Sequence, residues 1–170
     1  VQVFDKQRPG EGASSRNGGI ASGNVKMQFS AMVSALGEEA AKRIYAEGVA
    51  AREDLARFIE DEKIDCHFKM TGRFTGAYRP KHYDQLAREV EFLNKHLDLG
   101  AEVVARANQH EEVGTELYHG GVVRPDIGGL HPGLLHQGIL ERALEAGVTV
   151  HGVTDVEGFV KDSDSFVITT

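Results

Sequence analysis

The sequence has little cysteine and no long apolar run. Cys66 is its only cysteine, so no disulfide can form within the chain. No cysteine and histidine spacing matches a zinc site, and no metal site is predicted. No apolar stretch is long enough to span a bilayer, and no signal-peptide pattern is present. The sequence therefore does not belong to the disulfide-stapled or zinc-stabilised classes of small protein.

Positive charge is also scarce. The 19 Lys and Arg residues are outnumbered by 26 Asp and Glu, which gives a net charge of −7 and a pI near 5.6. Nucleic acids and anionic membranes attract basic surfaces, so neither is expected as a partner. The sequence also shows no Ser/His/Asp pattern and no paired-carboxylate pattern. No catalytic residue is therefore assigned.

The sequence does contain helical and extended patterns that alternate, as in a mixed α/β fold. Apolar residues make up 41% of the chain, enough to bury a core. One apolar stripe predicts a helix from Ser34 to Glu62, in which Gly48 marks a close contact or a break. The residues expected to face the core of this helix are Ala40, Ile44, Ala51, Leu55 and Phe58.

Two further helices and several strands follow from the same patterns. Pro80 at a helix start leads into a helix over Tyr83–Leu97, which Gly100 is expected to close, and another helix runs from His131-Pro132 to about Ala146. Their predicted buried stripes are Leu86, Val90, Leu93 and Leu97 in the first helix, and Leu135, Ile139 and Ala143 in the second. Extended segments are predicted at 1–5, 64–78, 102–105, 118–123, 148–150 and 153–160, with a short helix at 108–113. A β-hairpin is predicted over residues 162–170, and the sequence is expected to stop inside it.

The N-terminal segment combines a short strand with a small-residue loop around one arginine. The strand Val1–Asp5 ends in a carboxylate, and Gly12-Ala13-Ser14-Ser15-Arg16-Asn17-Gly18-Gly19 follows. Dinucleotide folds hold a ribose by an acidic residue at a strand's carboxyl end. Small residues let backbone amides approach an anion, and Arg16 can donate two charge-assisted hydrogen bonds to it. The pattern indicates a nucleotide-binding loop.

The C-terminal half adds a second ordered set of motifs. Tyr118-His119-Gly120-Gly121-Val122 precedes Gly128-Gly129-Leu130-His131-Pro132, and a helix then leads to Gly147-Val148-Thr149-Val150. Together with the N-terminal loop, this set resembles the D-amino-acid-oxidase-type FAD-dependent oxidoreductases, and most closely their gamma-glutamylputrescine oxidase-like branch. The resemblance covers nearly the whole chain.

The resemblance implies a role for each matching residue. Asp5 would hold the adenosine ribose, and Ser14, Ser15 and Arg16 would line the pyrophosphate and ribityl region. Asn17, Gly18 and Gly19 would bring backbone toward the isoalloxazine ring, and the backbone of Val156 would meet the adenine. Weaker candidates for contact with a substrate are Arg73, His119 and Arg124. The implied activity is oxidation of a C–N bond of a small-molecule amine or amino acid, with FAD as hydride acceptor, in a cytoplasmic enzyme.

The resemblance also implies missing parts. The Gly-x-Gly-x-x-Gly turn and its strand, which usually hold the pyrophosphate, do not precede Val1. We therefore expect a fragment of a larger flavoprotein that alone holds no FAD and is inactive. Its unpaired first strand is expected to be covered in a homodimer. The implied fold is a partial FAD-binding fold, residues 1–63 and 130–170, with an inserted, largely antiparallel substrate-domain segment, residues 64–129.

Two alternatives to this function stay open from the sequence. One is a cofactor-free folded module that self-associates, and the other is a nicotinamide-dependent dehydrogenase, which Asp5 permits. The predicted architecture also indicates which strands share a sheet. Val1–Asp5 and Val148–Val150 should lie in one sheet, because both are short strands that end at nucleotide-site positions.

Overall fold

A computed structural model describes all 170 residues, and it has the predicted mixed α/β composition. In chain order its elements are β1 (Gln2–Phe4), β2 (Ile20–Ala21), α1 (Phe29–Leu36), α2 (Glu38–Asp61), β3 (Arg73–Gly76), α3 (Pro80–Leu97), β4 (Glu102–Val104), a 3-10 helix (Arg106–Glu111), β5 (Gly121–Arg124), β6 (Gly128–Gly129), α4 (Pro132–Glu145), β7 (Thr149–His151), β8 (Gly158–Asp162) and β9 (Ser165–Thr169). None of the helices combines the length and the apolar composition needed to cross a bilayer.

The chain divides into two compact units. Unit 1 consists of Val1–Gly19, Phe58–His67 and Leu130–Thr170, and unit 2 consists of Ile20–Arg57 and Phe68–Gly129. The predicted assignment of residues 1–63 and 130–170 to an FAD-binding domain, and of 64–129 to a substrate-binding domain, stays a prediction. The two units are defined by contacts between residues, and these contacts do not indicate what either unit binds.

Unit 1 is built on a parallel strand pair. β1 pairs with β7 in the register Gln2–Thr149 to Phe4–His151, which confirms the predicted shared sheet. A C-terminal hairpin is present, but its bounds differ from the predicted 162–170: β8 and β9 pair antiparallel over Gly158–Asp162 and Ser165–Thr169. α4 begins after His131, whose side chain accepts a hydrogen bond from the backbone N–H of Leu134. His131 is therefore a helix cap, as predicted.

Unit 2 packs helices against an antiparallel sheet. β5 lies between β3 and β4, and β2 pairs with β6. Burial is greatest where α1, α2 and α3 meet, and a second cluster lies between α3 and the sheet. The buried residues are Phe29, Met32, Ala41, Tyr45 and Leu93 in the first cluster, and Val90, Ala101 and Val122 in the second. The predicted stripe of α3 is thereby confirmed at its two central positions, Val90 and Leu93.

The prediction of one helix over Ser34–Glu62 was wrong. Gly37, at a φ of 83°, separates α1 from α2, because glycine readily adopts this left-handed conformation. The predicted core-facing stripe was also wrong, since Ile44 is 37% exposed and Phe58 is 40% exposed. The buried face instead carries Ala41, Tyr45 and Ile59. Gly48 does not break α2; it marks the close contact described in the Discussion.

Other predicted boundaries need correction. Of the strand predicted over residues 64–78, only β3 is extended in a sheet, and of 153–160 only the part from Gly158 onward. α3 ends at Leu97 as predicted, but the residue that closes it is Asp98 and not Gly100: Asp98 adopts the left-handed conformation and donates its N–H to the Asn94 carbonyl. The strand at 118–123 begins only at Gly121, and the helix at 108–113 is a 3-10 helix over Arg106–Glu111. No residue of α4 is buried, and Ile139 in its predicted stripe is 43% exposed.

Candidate functional site

Asp5 lies at the carboxyl end of β1 in unit 1. Its backbone N–H donates to the His151 carbonyl at 2.9 Å, so the residue continues the pairing with β7. Its Oδ1 accepts a hydrogen bond from the backbone N–H of Gln7 at 2.9 Å, which shapes the turn that follows. Its Oδ2 accepts no hydrogen bond within the chain. Asp5 therefore holds one carboxylate oxygen free at the end of a parallel strand, where a hydroxyl donor can reach it.

The small-residue run of unit 1 forms a turn with free backbone donors. The N–H of Arg16 donates to the Ala13 carbonyl at 3.2 Å, and the Asn17 side chain accepts from the N–H of Gly19 at 2.9 Å. The Ser15 hydroxyl donates to the Gly10 carbonyl, which ties the turn to the preceding loop. Four neighbouring N–H groups have no acceptor in the chain; they belong to Ser14, Ser15, Asn17 and Gly18. The Arg16 side chain is exposed beside them.

Glycine is required where this run ends. Gly19 has a φ of 62°, and a Cβ placed on it would lie 2.0 Å from the carbonyl oxygen of Leu130. The N–H of Leu130 donates to the Gly19 carbonyl at 2.8 Å. Any side chain at Gly19 would push the run away from the start of α4. This contact explains the glycine at position 19, and the approach of Asn17, Gly18 and Gly19 to the isoalloxazine ring stays a prediction.

The structure brings the segment around Val156 close to Asp5. The N–H of Thr154 donates to the Asp5 carbonyl at 2.9 Å, and Lys6 pairs with Asp155 at 2.6 Å. Val156 itself is 40% exposed and lies in the extended segment before β8 rather than in a strand core. The predicted cofactor residues therefore share unit 1, in two segments linked by backbone hydrogen bonds.

Two of the weaker candidates, Arg73 and Arg124, are cross-strand neighbours in unit 2. They stand directly opposite each other in the β3–β5 register, so their side chains lie on one face of the sheet. Both line a cavity of about 290 Å³ together with side chains of α1, α2 and α3. His119 does not join them. Its N–H donates to the Ala77 carbonyl at 2.8 Å, and the side chain lines no part of this cavity.

Arg124 is held by a compact hydrogen-bond network. Its Nε and one Nη donate to the two carboxylate oxygens of Asp126 at 2.7 and 2.6 Å, and both side chains are 12% exposed. The same Nη contacts the Tyr45 hydroxyl at 3.0 Å, and that hydroxyl donates to Asp126 at 2.9 Å. Asn24 accepts a further bond from Arg124 at 3.1 Å. Nε and one Nη of Arg124 are therefore already engaged by protein groups.

Burial and charge set the ionisation of this network. Burial alone would raise the pKa of Asp126, but the hydrogen bonds and the positive charge of Arg124 outweigh it, so the pKa is lowered. Burial alone would likewise lower the pKa of Arg124, and the bonds and charge of Asp126 raise it instead. Burial is also the main reason that the pKa of Tyr45 rises to about 12. The pair is ionised and the tyrosine is a neutral donor at physiological pH.

Sequence reasoning missed Tyr45 and Asp126. Asp126 could have been found, because an acid two residues after Arg124 in a Pro-Asp loop is a ready partner for it. Tyr45 carried no such signal, since it lies on α2, 79 residues before Arg124. No group of three metal-ligating side chains is present, so the structure offers no candidate metal centre.

Comparison with known proteins gives a family match over the full chain. The model of the family described as FAD dependent oxidoreductase (DAO) matches residues 1–170. The chain belongs to this family. No curated protein matches the sequence.

Solved structures show the same fold at low sequence identity. Glycine oxidase from Geobacillus kaustophilus is 21% identical with a TM-score of 0.76, over 99% of this chain and 44% of its own. Glycine oxidase from Bacillus cereus is 17% identical with a TM-score of 0.71, over 99% and 47%. L-proline dehydrogenase from P. horikoshii is 19% identical with a TM-score of 0.62, over 98% and 41%. The chain thus spans less than half the length of these structures.

The residues of unit 1 fit the cofactor of this family. FAD presents ribose hydroxyls, which need acceptors, and a pyrophosphate, which needs donors. The free Oδ2 of Asp5 can accept a hydrogen bond from a ribose hydroxyl. The unsatisfied N–H groups of the 14–18 turn and the exposed Arg16 guanidinium can donate hydrogen bonds to the pyrophosphate. The chain supplies no acceptor for these N–H groups, and a bound anion can accept hydrogen bonds from them.

Proposed function

We propose that the protein containing this chain oxidises a C–N bond of an amine or amino acid and uses FAD as the hydride acceptor. Membership of the FAD dependent oxidoreductase family supports the cofactor. The observation that carries the proposal is the turn of free N–H groups around Arg16, which lies in the same unit as the free Oδ2 of Asp5. The substrate class rests on similarity to enzymes named glycine oxidase, L-proline dehydrogenase and L-amino acid deaminase.

The protein's own residues would bind and orient the cofactor. Asp5 would accept hydrogen bonds from the ribose, and Ser14, Ser15 and Arg16 would donate to the phosphates and the ribityl chain. Asn17, Gly18 and Gly19 would bring backbone to the ring, and the backbone of Val156 would meet the adenine. Bound FAD supplies the electron sink for the oxidation, so the protein needs no acid–base pair of its own for that step. Arg73, His119 and Arg124 stay candidates for contact with the substrate.

The test is flavin retention in the full-length protein after Arg16→Ala. A charge-assisted hydrogen bond to a phosphate contributes about 1.5–3 kcal/mol, so we expect flavin affinity to fall roughly 10- to 100-fold. Arg8→Ala is the matched control, because Arg8 is an exposed arginine of the same loop outside the free-donor turn. Flavin occupancy after dialysis that is equal in both variants would contradict the role of Arg16.

The same protein also tests the broader alternatives. A yellow, flavin-containing preparation that oxidises amines or amino acids supports the proposal, whereas dependence on added nicotinamide cofactor would favour a dehydrogenase. A cofactor-free protein that only self-associates would favour a non-catalytic module. We further propose a cytoplasmic homodimer, which light scattering on the purified protein and fractionation of the source cells would test.

A further inference from the structure

The turn around Arg16 contains a pair of residues that occurs once in the chain. Asn17 is the one asparagine that a glycine follows. The other three are Asn24, Asn94 and Asn108, and they precede Val25, Lys95 and Gln109. The backbone nitrogen of the next residue can attack an asparagine side chain and close a cyclic imide. Glycine hinders this attack least, because it has no Cβ beside the nitrogen.

Both reacting groups of the Asn17-Gly18 pair are accessible in the structure. The two residues are exposed, and the N–H of Gly18 has no acceptor in the chain. A base in the solvent can therefore reach the proton that must leave this nitrogen before it attacks. Asn94 is the opposite case, because it lies inside α3 and its side chain bonds both backbone groups of Ala101 at 2.7 and 3.0 Å.

The side chain of Asn17 is folded back along its own backbone. The N–H of Gly19 donates to its Oδ1 at 2.9 Å, which closes a side-chain turn over residues 17–19. Its Nδ2 donates to the carbonyls of Ala13 and Ser14 at 3.2 and 3.0 Å. These bonds engage the oxygen and the nitrogen of the amide and leave its carbon, Cγ, open. The Gly19 N–H also stabilises the negative charge that develops on Oδ1 when Cγ is attacked, so the turn favours the attack.

We propose that Asn17 is a modification site, at which the nitrogen of Gly18 displaces the side-chain amide and converts asparagine to aspartate or isoaspartate. Solvent base removes the Gly18 amide proton, the nitrogen forms a bond with Cγ, and the Cγ–Nδ2 bond breaks. The amide nitrogen takes up a proton from solvent and leaves as ammonia. Water then opens the cyclic imide at either of its carbonyls. The net reaction turns an amide and water into a carboxylic acid and ammonia, so it needs no oxidant or reductant.

The product places a carboxylate in a turn whose free groups are donors. Its negative charge would compete with a bound anion for Arg16 and the free N–H groups, and would repel that anion. This consequence rests on the proposed function, because FAD is the anion expected at this turn. Bound FAD would exclude solvent base from the Gly18 N–H. An empty site is thus expected to lose cofactor affinity with time, whereas a loaded site is protected.

The test uses the full-length protein, freed of flavin and then incubated in mildly alkaline buffer with or without FAD. Peptide mass spectrometry follows each asparagine through the gain in mass when the amide becomes an acid. Without FAD, we expect Asn17 to convert at least about tenfold faster than Asn24, an exposed asparagine whose next residue is the β-branched Val25. FAD at 100 times its dissociation constant should slow Asn17 up to about 100-fold. The product mimic Asn17→Asp should bind FAD roughly tenfold more weakly.

Two glycine variants isolate the role of the attacking nitrogen. Gly18→Ala places a methyl group beside that nitrogen and should slow conversion of Asn17 at least about tenfold. The φ of Gly18 is not left-handed, so alanine is compatible with the backbone. Gly12→Ala is the matched control in the same loop, because a Cβ there would meet nothing within 4 Å, and the rate should be unchanged.

The outcomes separate this proposal from the proposed function. The modification is overturned if Asn17 converts no faster than Asn24, or if Gly18→Ala and Gly12→Ala convert alike. Conversion of Asn17 that FAD does not slow would support the modification and contradict the placement of FAD at this turn. Circular dichroism verifies that the variants fold.

Discussion

At the scale of single residues, Arg124, Asp126 and Tyr45 show how a charged pair is tolerated inside unit 2. Each side chain satisfies the others, with distances of 2.6 to 3.0 Å. A buried ion pair contributes little more to the free energy of unfolding than an apolar pair of similar size. The loss of one partner, however, leaves an uncompensated buried charge. The main effect of the network is therefore to fix the orientation of the Arg124 side chain, and its net contribution to stability is small.

Asp126→Asn should destabilise the protein at neutral pH and much less in acid. The folded pKa of Asp126 is lowered from an unfolded value near 3.9, so its stabilising effect is complete above about pH 5 and is lost as pH falls through the folded pKa. We expect a loss of about 2–3 kcal/mol in the free energy of unfolding at pH 7, below the 3–5 kcal/mol of a fully buried pair. Urea denaturation at pH 7 and at pH 3 measures it.

Asp164→Asn is the control for this prediction, because Asp164 lies exposed in the turn between β8 and β9. Its effect should stay within about 0.5 kcal/mol at both pH values. An Asp126→Asn penalty that does not shrink from pH 7 to pH 3 would mean that its charge is not what stabilises the fold.

Local chemistry made some of these residues predictable and left others hidden. The cap at His131 follows from its place before Pro132, because both residues act within one helical turn. Arg124 was predicted as a candidate for contact with the substrate. Whether its guanidinium is available for that contact depends on its hydrogen-bond partners. One of them, Tyr45, lies on a helix far away in sequence. A sequence pattern shows which side chains are charged. It does not show which distant side chains neutralise them.

At the scale of elements, α2 illustrates why periodicity alone misplaced a buried face. Ile44 and Phe58 are the large apolar residues of the predicted stripe, yet the helix turns Tyr45 and Ile59 inward. Several faces of α2 carry apolar residues, so the neighbouring elements decide which one is buried. Tyr45 lies inside because its ring meets Phe29 edge-on at 5.9 Å, and its hydroxyl has a partner.

Gly48→Ala should destabilise the protein, although alanine is the better helix former. The exchange gains about 1 kcal/mol in an open helix. In α2, however, the new Cβ would lie 2.1 Å from the carbonyl oxygen of Gly23, and backbone on both sides would have to move. We expect a net loss of about 1–3 kcal/mol, as in other overpacked sites, measured by thermal or urea unfolding.

The matched control is Gly133→Ala in the first turn of α4. There the nearest atom to a new Cβ is a side-chain carbon of His131 at 3.2 Å, and a side chain can shift where backbone cannot. Because the His131 ring also caps α4, its shift offsets part of the roughly 1 kcal/mol that alanine gains as a helix former, and we expect a change within about 1 kcal/mol of zero. A stabilising Gly48→Ala would show that the contact between Gly48 and Gly23 is looser than the structure indicates.

At the scale of the whole molecule, unit 1 is assembled from segments that are far apart in sequence. β1 and β7 pair although Gln2 and Thr149 lie at opposite ends of the chain. The resemblance predicted this pairing, because both strands end at nucleotide-site positions; no local pattern encodes it. The segments that it joins carry every predicted cofactor residue, from Asp5 and the 14–19 run to Val156.

Hydrogen exchange in the full-length protein should therefore locate the proposed FAD site in unit 1. The N–H groups of Ser14, Ser15, Asn17 and Gly18 have no acceptor in the chain, so they should exchange fast without FAD. Saturating FAD should slow them up to about 100-fold at 100 times its dissociation constant. The turn at 163–164 serves as the internal control and should not respond to FAD. If FAD leaves the 14–18 amides unchanged, the turn around Arg16 is not its phosphate site.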